Sequence, residues 1–207
     1  MLSRFAESFF WLSRNVERAE TIARVLDVTW SRSMDLSAED AWGRRSWRTA
    51  YAVGTFTDVA NADVEDSATT FERCIFDPAN PSSIVSSVSV ARANAIGVRA
   101  ELSTETWENI NELYFDVQAQ SIESLGAEGP SRFLRRVRDR CQAIAGVSDA
   151  TLLHVDGWNF LQLGRFVERG YLAARMLATI GSLEDPWPEW QRLLEMCCAR
   201  VPFARAS

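Results

Sequence analysis

Lysine is absent from this chain: all 22 basic side chains are arginine. That excludes a Schiff-base lysine and the phosphate-binding lysine of a P-loop. Histidine is scarce too, with His154 alone, and Cys74, Cys141, Cys197 and Cys198 form no C-x-x-C pair. Neither a zinc-ligand spacing nor a disulfide framework can be assembled from that set. Cationic charge is in deficit, with a net charge of -6 at pH 7. A generic nucleic-acid binder, which needs a basic surface for phosphates, is therefore not expected. No serine stands in a G-x-S-x-G elbow, and no nucleophile, base and orienting group form a recognisable set, so no catalytic residue is assigned. The apolar stretch Leu2 to Leu12 is broken by Arg4 and Glu7, too short and too charged for a signal peptide or a membrane span. The expected location is the reducing cytosol, with no membrane contact.

What is present is a chain with 47% apolar residues, enough to build a core. Phe5, Phe9, Leu12, Val16, Ala19, Ala23, Leu26 and Trp30 alternate at spacings of four and three, which predicts an amphipathic helix in a bundle. Ile84, Val88, Ala91, Ala95, Val98 and Leu102 predict another, beginning near Ser82 after the turn-forming run Asp77 to Ser83. A cap at Ser103-Thr104 introduces Trp107, Ile110, Tyr114 and Val117, and Gly126 with Gly129-Pro130 ends that segment. Phe133, Val137, Cys141 and Ile144 mark a shorter, arginine-dense helix, separated by Gly146 and Ser148 from a long last one. The stripe of that last helix is Phe160, Leu163, Val167, Gly170, Ala174 and Leu177. It ends at Gly181 to Pro188, and one more helix fits Trp190 to Ala199. Between Ser33 and Phe76, Trp42, Trp47, Tyr51 and Phe56 suggest buried helix interrupted by Gly43 and Gly54. The fold class is all-α, a helical bundle. Trp11, Trp30, Trp107 and Trp158 lie within helical patterns and are expected to be buried rather than to cage a ligand.

The first helix repeats within the chain. Leu12, Arg14, Val16, Glu17 and Arg18 recur as Leu163, Arg165, Val167, Glu168 and Arg169, and the same offset relates Ala23, Arg24 and Leu26 to Ala174, Arg175 and Leu177. A duplication of one long helix is the simplest reading. Arg14, Glu17, Arg18 and Arg24 lie off the apolar stripe, where Arg14 reaches Glu17 at i,i+3 and Glu20 reaches Arg24 at i,i+4. The same geometry is expected at Arg165, Glu168, Arg169 and Arg175. Such a face is either a solvated, salt-bridged surface or an arginine cluster with donors left for an anion. If the two helices pack antiparallel about a pseudo-two-fold axis, both clusters line one groove. Arg92 and Arg99, one heptad apart with Asn94 between them, can join the cluster or bridge to Glu101 or Glu105. His154, flanked by Leu153 and Val155, reads as a capped or solvent-facing side chain.

Further positions carry a resemblance. Met1 to Arg4 with Glu7, Trp11-Leu12, Arg14, Glu17 to Glu20, Ala23-Arg24 and Leu26-Asp27 resemble the bacterial alpha-E domain family, named for its helices and Glu-Arg motif. Asp77-Pro78-x-x-Pro81-Ser82-Ser83-Ile84, Ala91-Arg92-x-Asn94-Ala95, Val98-Arg99 and Trp107-Glu108-x-x-Asn111-x-x-Tyr114 follow its pattern in order. So do Asp149 to Leu152 and Gly157-Trp158-x-Phe160-x-x-Leu163-Gly164-Arg165. The departures are Ala93 and Ile96-Gly97, less polar than the pattern, and a second repeat, from about residue 148, that lacks a second Asp-Pro-x-x-Pro-Ser segment after Ala199. The resemblance implies one alpha-E-like domain over 1–207, and partnership with an ATP-grasp protein that forms amide or peptide bonds, with a transglutaminase-like protein as a further associate.

The expected function on these grounds is a non-catalytic partner or substrate-presenting module of such a ligase, its Arg/Glu clusters binding an anionic group or a partner surface. Two alternatives stand beside it. One is an enzyme using Glu17 or Glu168 as general base, against which neighbouring guanidiniums depress carboxylate basicity. The other is a structural bundle that oligomerises with itself. No cofactor is expected.

Overall fold

Helix is what the apolar spacing predicts, and the described residues contain helices and no strand. The structure, a computed structural model, describes residues 3–34, 41–57, 67–181 and 187–199. The helices are α1 (Ser3–Ser33), α2 (Ala41–Thr55), α3 (Ser67–Phe71, continuing as a π-helical turn over Glu72–Phe76), α4 (Ile84–Gly97), α5 (Thr104–Gln118), α6 (Ile122–Glu128), α7 (Pro130–Thr151), α8 (Asp156–Gly181) and α9 (Trp187–Met196).

Four of them form a ring. α1 packs against α4 and α7, and α5 closes the fourth side against those same two. Neighbours in the ring run antiparallel. Glu20 of α1 accepts from Gln142 of α7, while Asp27, two turns later, accepts from Ser131 and Arg138 nearer the start of α7. Arg92 of α4 reaches Asn111 of α5, and Ser89 of α4 accepts from Gln118. Inside the ring the expected stripes are buried: Phe9, Leu12, Val16, Ala19, Ala23 and Leu26 from α1, and Ile84, Val88, Ala91 and Ala95 from α4. Phe133, Val137, Cys141 and Ile144 complete it from α7. α1 therefore supplies the hub, because its apolar stripe meets α4 and α7 together.

The Asp77 to Ser83 turn is built as the sequence suggests, with one addition. The Ser83 hydroxyl accepts from the Ser86 amide and caps α4. The buried Asn80 accepts from the Ser82 amide and donates to the carbonyls of Gly54 and Arg73, which ties the turn to α2. α2 runs unbroken through Gly43 and Gly54. Gly54 is required there, since a Cβ would stand 2.6 Å from the Cys74 sulfur.

Two boundaries differ from expectation. Gly146 and Ser148 do not end the α7 helix, which continues to Thr151, and the break comes at 152–155. The i→i−4 ladder tolerates one exposed glycine at a cost of about 1 kcal/mol relative to alanine. Nothing lies within 4 Å of a Cβ built on Gly146, so Gly146→Ala should stabilise the protein by about 0.5–1 kcal/mol in urea denaturation. His154 sits in the 152–155 connection rather than on a helix, stacked on Trp158 with ring centroids 4.1 Å apart. The tryptophans are less buried than expected: Trp11 is 41% exposed, and Trp30, Trp107 and Trp158 are half-buried.

The largest departure concerns α8. Beyond Phe160, which packs against the core, its predicted stripe points outward, with Leu163, Val167 and Leu177 exposed, while Leu161, Gly164, Glu168, Leu172, Met176 and Ile180 are buried. α8 lies outside the ring, against α1 and to a lesser extent α2 and α9. The packing is also parallel, not antiparallel. Gly157 lies against Phe9, Gly164 against Phe10 and Ser13, and Glu168 accepts from Arg14 and Arg18, so the residue numbers climb together. The chain path explains this direction: α7 descends along α1, and the short 152–155 connection reverses it once more.

Candidate functional site

The parallel pairing of α1 and α8 explains what the repeated arginines and glutamates do. At equal offset, each glutamate falls beside the two arginines of the opposite helix. Glu168 accepts from Arg14 Nε at 2.7 Å and from Arg18 Nε at 2.6 Å. Reciprocally, Glu17 accepts from Arg169 Nε at 2.7 Å and Nη2 at 3.1 Å, with Arg165 Nε at 3.5 Å. The two glutamates are buried, Glu168 completely and Glu17 to 6% exposure. The expected Arg14–Glu17 pair within one helix does not form, because a buried guanidinium gains more from a carboxylate across the interface than from one it would share with water.

The lock is not symmetric. On one side Arg14 stacks over Trp11 at 4.8 Å, and Arg18 lies 5.4 Å from the Phe56 ring. Phe56 ends α2 at φ +58°, a left-handed conformation rare for an aromatic residue, and its ring sits between Arg18 and Arg175. On the other side Arg165 and Arg169 remain 32% and 49% exposed, and Arg165 Nε is buried without a hydrogen-bond acceptor.

Arg24 and Arg175 diverge as well. Arg24 pairs with Glu20 as the spacing predicts. Tyr171 stands where α8 would need the equivalent glutamate, and Arg175 instead donates to the carbonyls of Ala52 and Thr57, both at 2.8 Å. Arg92, Asn94 and Arg99 are not brought to the lock. Arg92 donates to Asn111 of α5 and lies 4.6 Å from the Tyr114 ring, Arg99 lies 5.1 Å from the Trp107 ring, and Asn94 bonds the Val90 carbonyl of its own helix. The two arginines meet Asn111 and the aromatic rings of α5 rather than Glu101 or Glu105, because α5 packs on that face of α4.

Asn80, Asp27, Phe56 and Gly164 stand in the runs quoted for the turn, the family pattern and α2, but spacing gave them no partners. Only Gly164 carried a signal, a glycine inside a helix where the first repeat has Ser13; a close approach by a neighbouring backbone is the usual cause.

Three of the described thiols are held in the protonated form. Burial pushes the Cys74 thiol up to about 12, and burial followed by the nearby Glu20 and Glu17 charges raises Cys141 further. Burial raises Cys197 as well, so these thiols stay protonated at neutral pH. Among the described residues no cluster of three or more potential metal ligands occurs, and no helix is long and apolar enough to cross a membrane.

Against this geometry the family comparison is informative. Alpha-E, described as a predicted alpha-helical domain with a conserved ER motif, matches residues 1–207. The chain belongs to the Alpha-E family. Glu17-Arg18 and Glu168-Arg169 are the two Glu-Arg pairs of this Alpha-E chain that face each other. A third, Glu72-Arg73, places its arginine on Asp77 at the surface. Uncharacterised proteins of Mycobacterium tuberculosis (strain H37Rv) and Mycobacterium bovis are each 28% identical over 211 residues, covering 93% of this chain and 24% of their own length. This Alpha-E chain thus spans about a quarter of the length of the curated relatives it matches. No solved structure matches it.

Proposed function

We infer that this Alpha-E chain is a non-catalytic helical module that docks a partner through the outer face of α8, the partner being an ATP-grasp ligase of amide or peptide bonds. The observation that carries this reading is the uncovered stripe Leu163, Phe166, Val167, Tyr171 and Leu177, each 41–57% exposed. At the same offset in α1 stand Leu12, Val16 and Leu26, which α4 and α7 bury almost completely. The pattern that recruits two antiparallel helices to α1 is thus displayed on α8 with no helix upon it among the described residues. Its chemistry suits an amphipathic helical layer with an apolar face. Covering each half-exposed side chain is worth about 1 kcal/mol, enough in sum for specific association. The ATP-grasp identity of the partner comes from the family resemblance alone, and a transglutaminase-like protein is a further associate on the same ground. The repeated helix and its reciprocal pairing also support a duplicated origin for α1 and α8 within one domain.

The test is co-purification with the ATP-grasp protein encoded nearest to this chain, followed by ATP turnover with and without it over a panel of amino acids. Association with stimulated turnover is the expected result. Val167→Glu, which sets a charge in the stripe without touching the core, should weaken association about 100-fold or more while leaving the helical signal unchanged. If the chain alone forms dimers that Val167→Glu dissociates, the self-associating bundle takes the place of the ligase partner.

A further inference from the structure

On the opposite side of the α1–α8 lock from Trp11 and Phe56, a cleft of about 490 Å3 opens between α1, α7, α8 and α9. Its volume falls in the range of small-molecule sites, roughly 300–1,000 Å3. Leu12, Val16, Leu161, Met176 and Met196 give it apolar walls, and all five are buried. Its charged lining is Arg24, Arg165, Arg169, Glu17 and Glu20.

Two of these arginines are matched. Arg24 pairs with Glu20, which also accepts from Gln142, and Arg169 occupies both oxygens of Glu17. Arg165 is the most weakly held of the three, ion-paired to Glu17 but not hydrogen-bonded to it. Its Nε stands 3.5 Å from Glu17 with no hydrogen-bond acceptor, and among the described residues its terminal nitrogens meet none either. Arg14, at the same place in the first copy, donates to Glu168 through Nε at 2.7 Å. A planar guanidinium with unused donors at the rim of an apolar cleft is the arrangement that grips a carboxylate in a bidentate manner.

We propose that this cleft binds a small monocarboxylate with an apolar body, its carboxylate on Arg165 and its body against Leu161, Met176 and Met196. One negative charge is the limit, because Arg24, Arg165 and Arg169 exceed Glu17 and Glu20 in the lining by a single positive charge. This excludes a phosphate dianion on the same donors. The site is independent of the docking face, which lies on the outer side of α8.

Octanoate and its neutral counterpart octanamide, titrated calorimetrically into the full chain, test it. Octanoate is expected to bind at least about tenfold more tightly than octanamide, the difference of one charge-assisted contact. Arg165→Gln should bring octanoate down to the level of octanamide with helicity unchanged, and Ala173→Trp, which fills the cleft, should abolish both. A readout that needs no substitution is iodoacetamide labelling of Cys198, which lines the cleft and is exposed; octanoate should slow it and octanamide should not. Equal affinity for the two probes, octanoate binding unaffected by Arg165→Gln, or no binding of either up to about 10 mM overturns the proposal. Val167→Glu should leave octanoate binding intact, so failure of the docking reading and failure of this one are told apart.

Discussion

Replacing Glu168 by alanine should cost about 3–5 kcal/mol of stability, the largest loss expected from any single charge in this protein. The side chain is fully buried and neutralises both Arg14 and Arg18, whose side chains are 18% and 12% exposed. Its removal leaves two guanidiniums in the α1–α8 interface with no anion to face them. Glu17→Ala should cost only about 1–2 kcal/mol, because Arg165 and Arg169 are open enough to be hydrated once their partner is gone. Guanidinium denaturation of the two variants measures the difference directly. Equal losses would mean that the two halves of the lock carry the same load, contrary to their different burial. A triple variant with methionine at 14, 18 and 168 should recover much of the loss, since a buried ion pair replaced by apolar side chains of similar size is often neutral.

Gly164→Ala should be nearly as damaging, at about 3 kcal/mol, although alanine is the better helix former. A Cβ at this position would stand 2.2 Å from Ser13 Oγ and 2.3 Å from the Phe10 carbonyl oxygen. The serine can rotate away, but the carbonyl belongs to the α1 backbone and cannot. The helices must separate where they come closest, one turn before Glu168, and the lock opens with them. Ser13→Ala should therefore fail to rescue Gly164→Ala. A melting temperature unchanged by Gly164→Ala would show that the two backbones do not approach as closely as described.

Much of the fold was legible because α1, α4, α5 and α7 each bury one stripe, and a stripe at helical spacing reads the same from sequence as from structure. α8 was misread for a physical reason. Its outward residues Leu163, Val167 and Leu177 repeat the apolar pattern of α1, whereas its inward face mixes Leu161, Leu172, Met176 and Ile180 with Gly164 and Glu168. Hydropathy ranks the first set as core, yet close backbone approach and ion pairing chose the second. The site residues were legible in kind but not in partnership. Spacing shows that Arg14 and Glu17 can meet within one helix, and carries no sign that Glu168, 154 residues from Arg14, will take that place. Arg92 and Arg99 were drawn to the cluster because they share a helix face one heptad apart, and their contacts with α5 keep them out of it.

That long separation matters while the chain is being made. At about 5–20 residues per second, Arg14 and Arg18 leave the ribosome on the order of ten seconds before Glu168 exists. Over that interval α1 can meet α4, α5 and α7 and close the ring, since all three precede α8 in the chain. The last long helix then arrives at a surface already shaped and already charged. The 152–155 connection sets which way round it lands, and the two glutamates and four arginines set the register at which it stops.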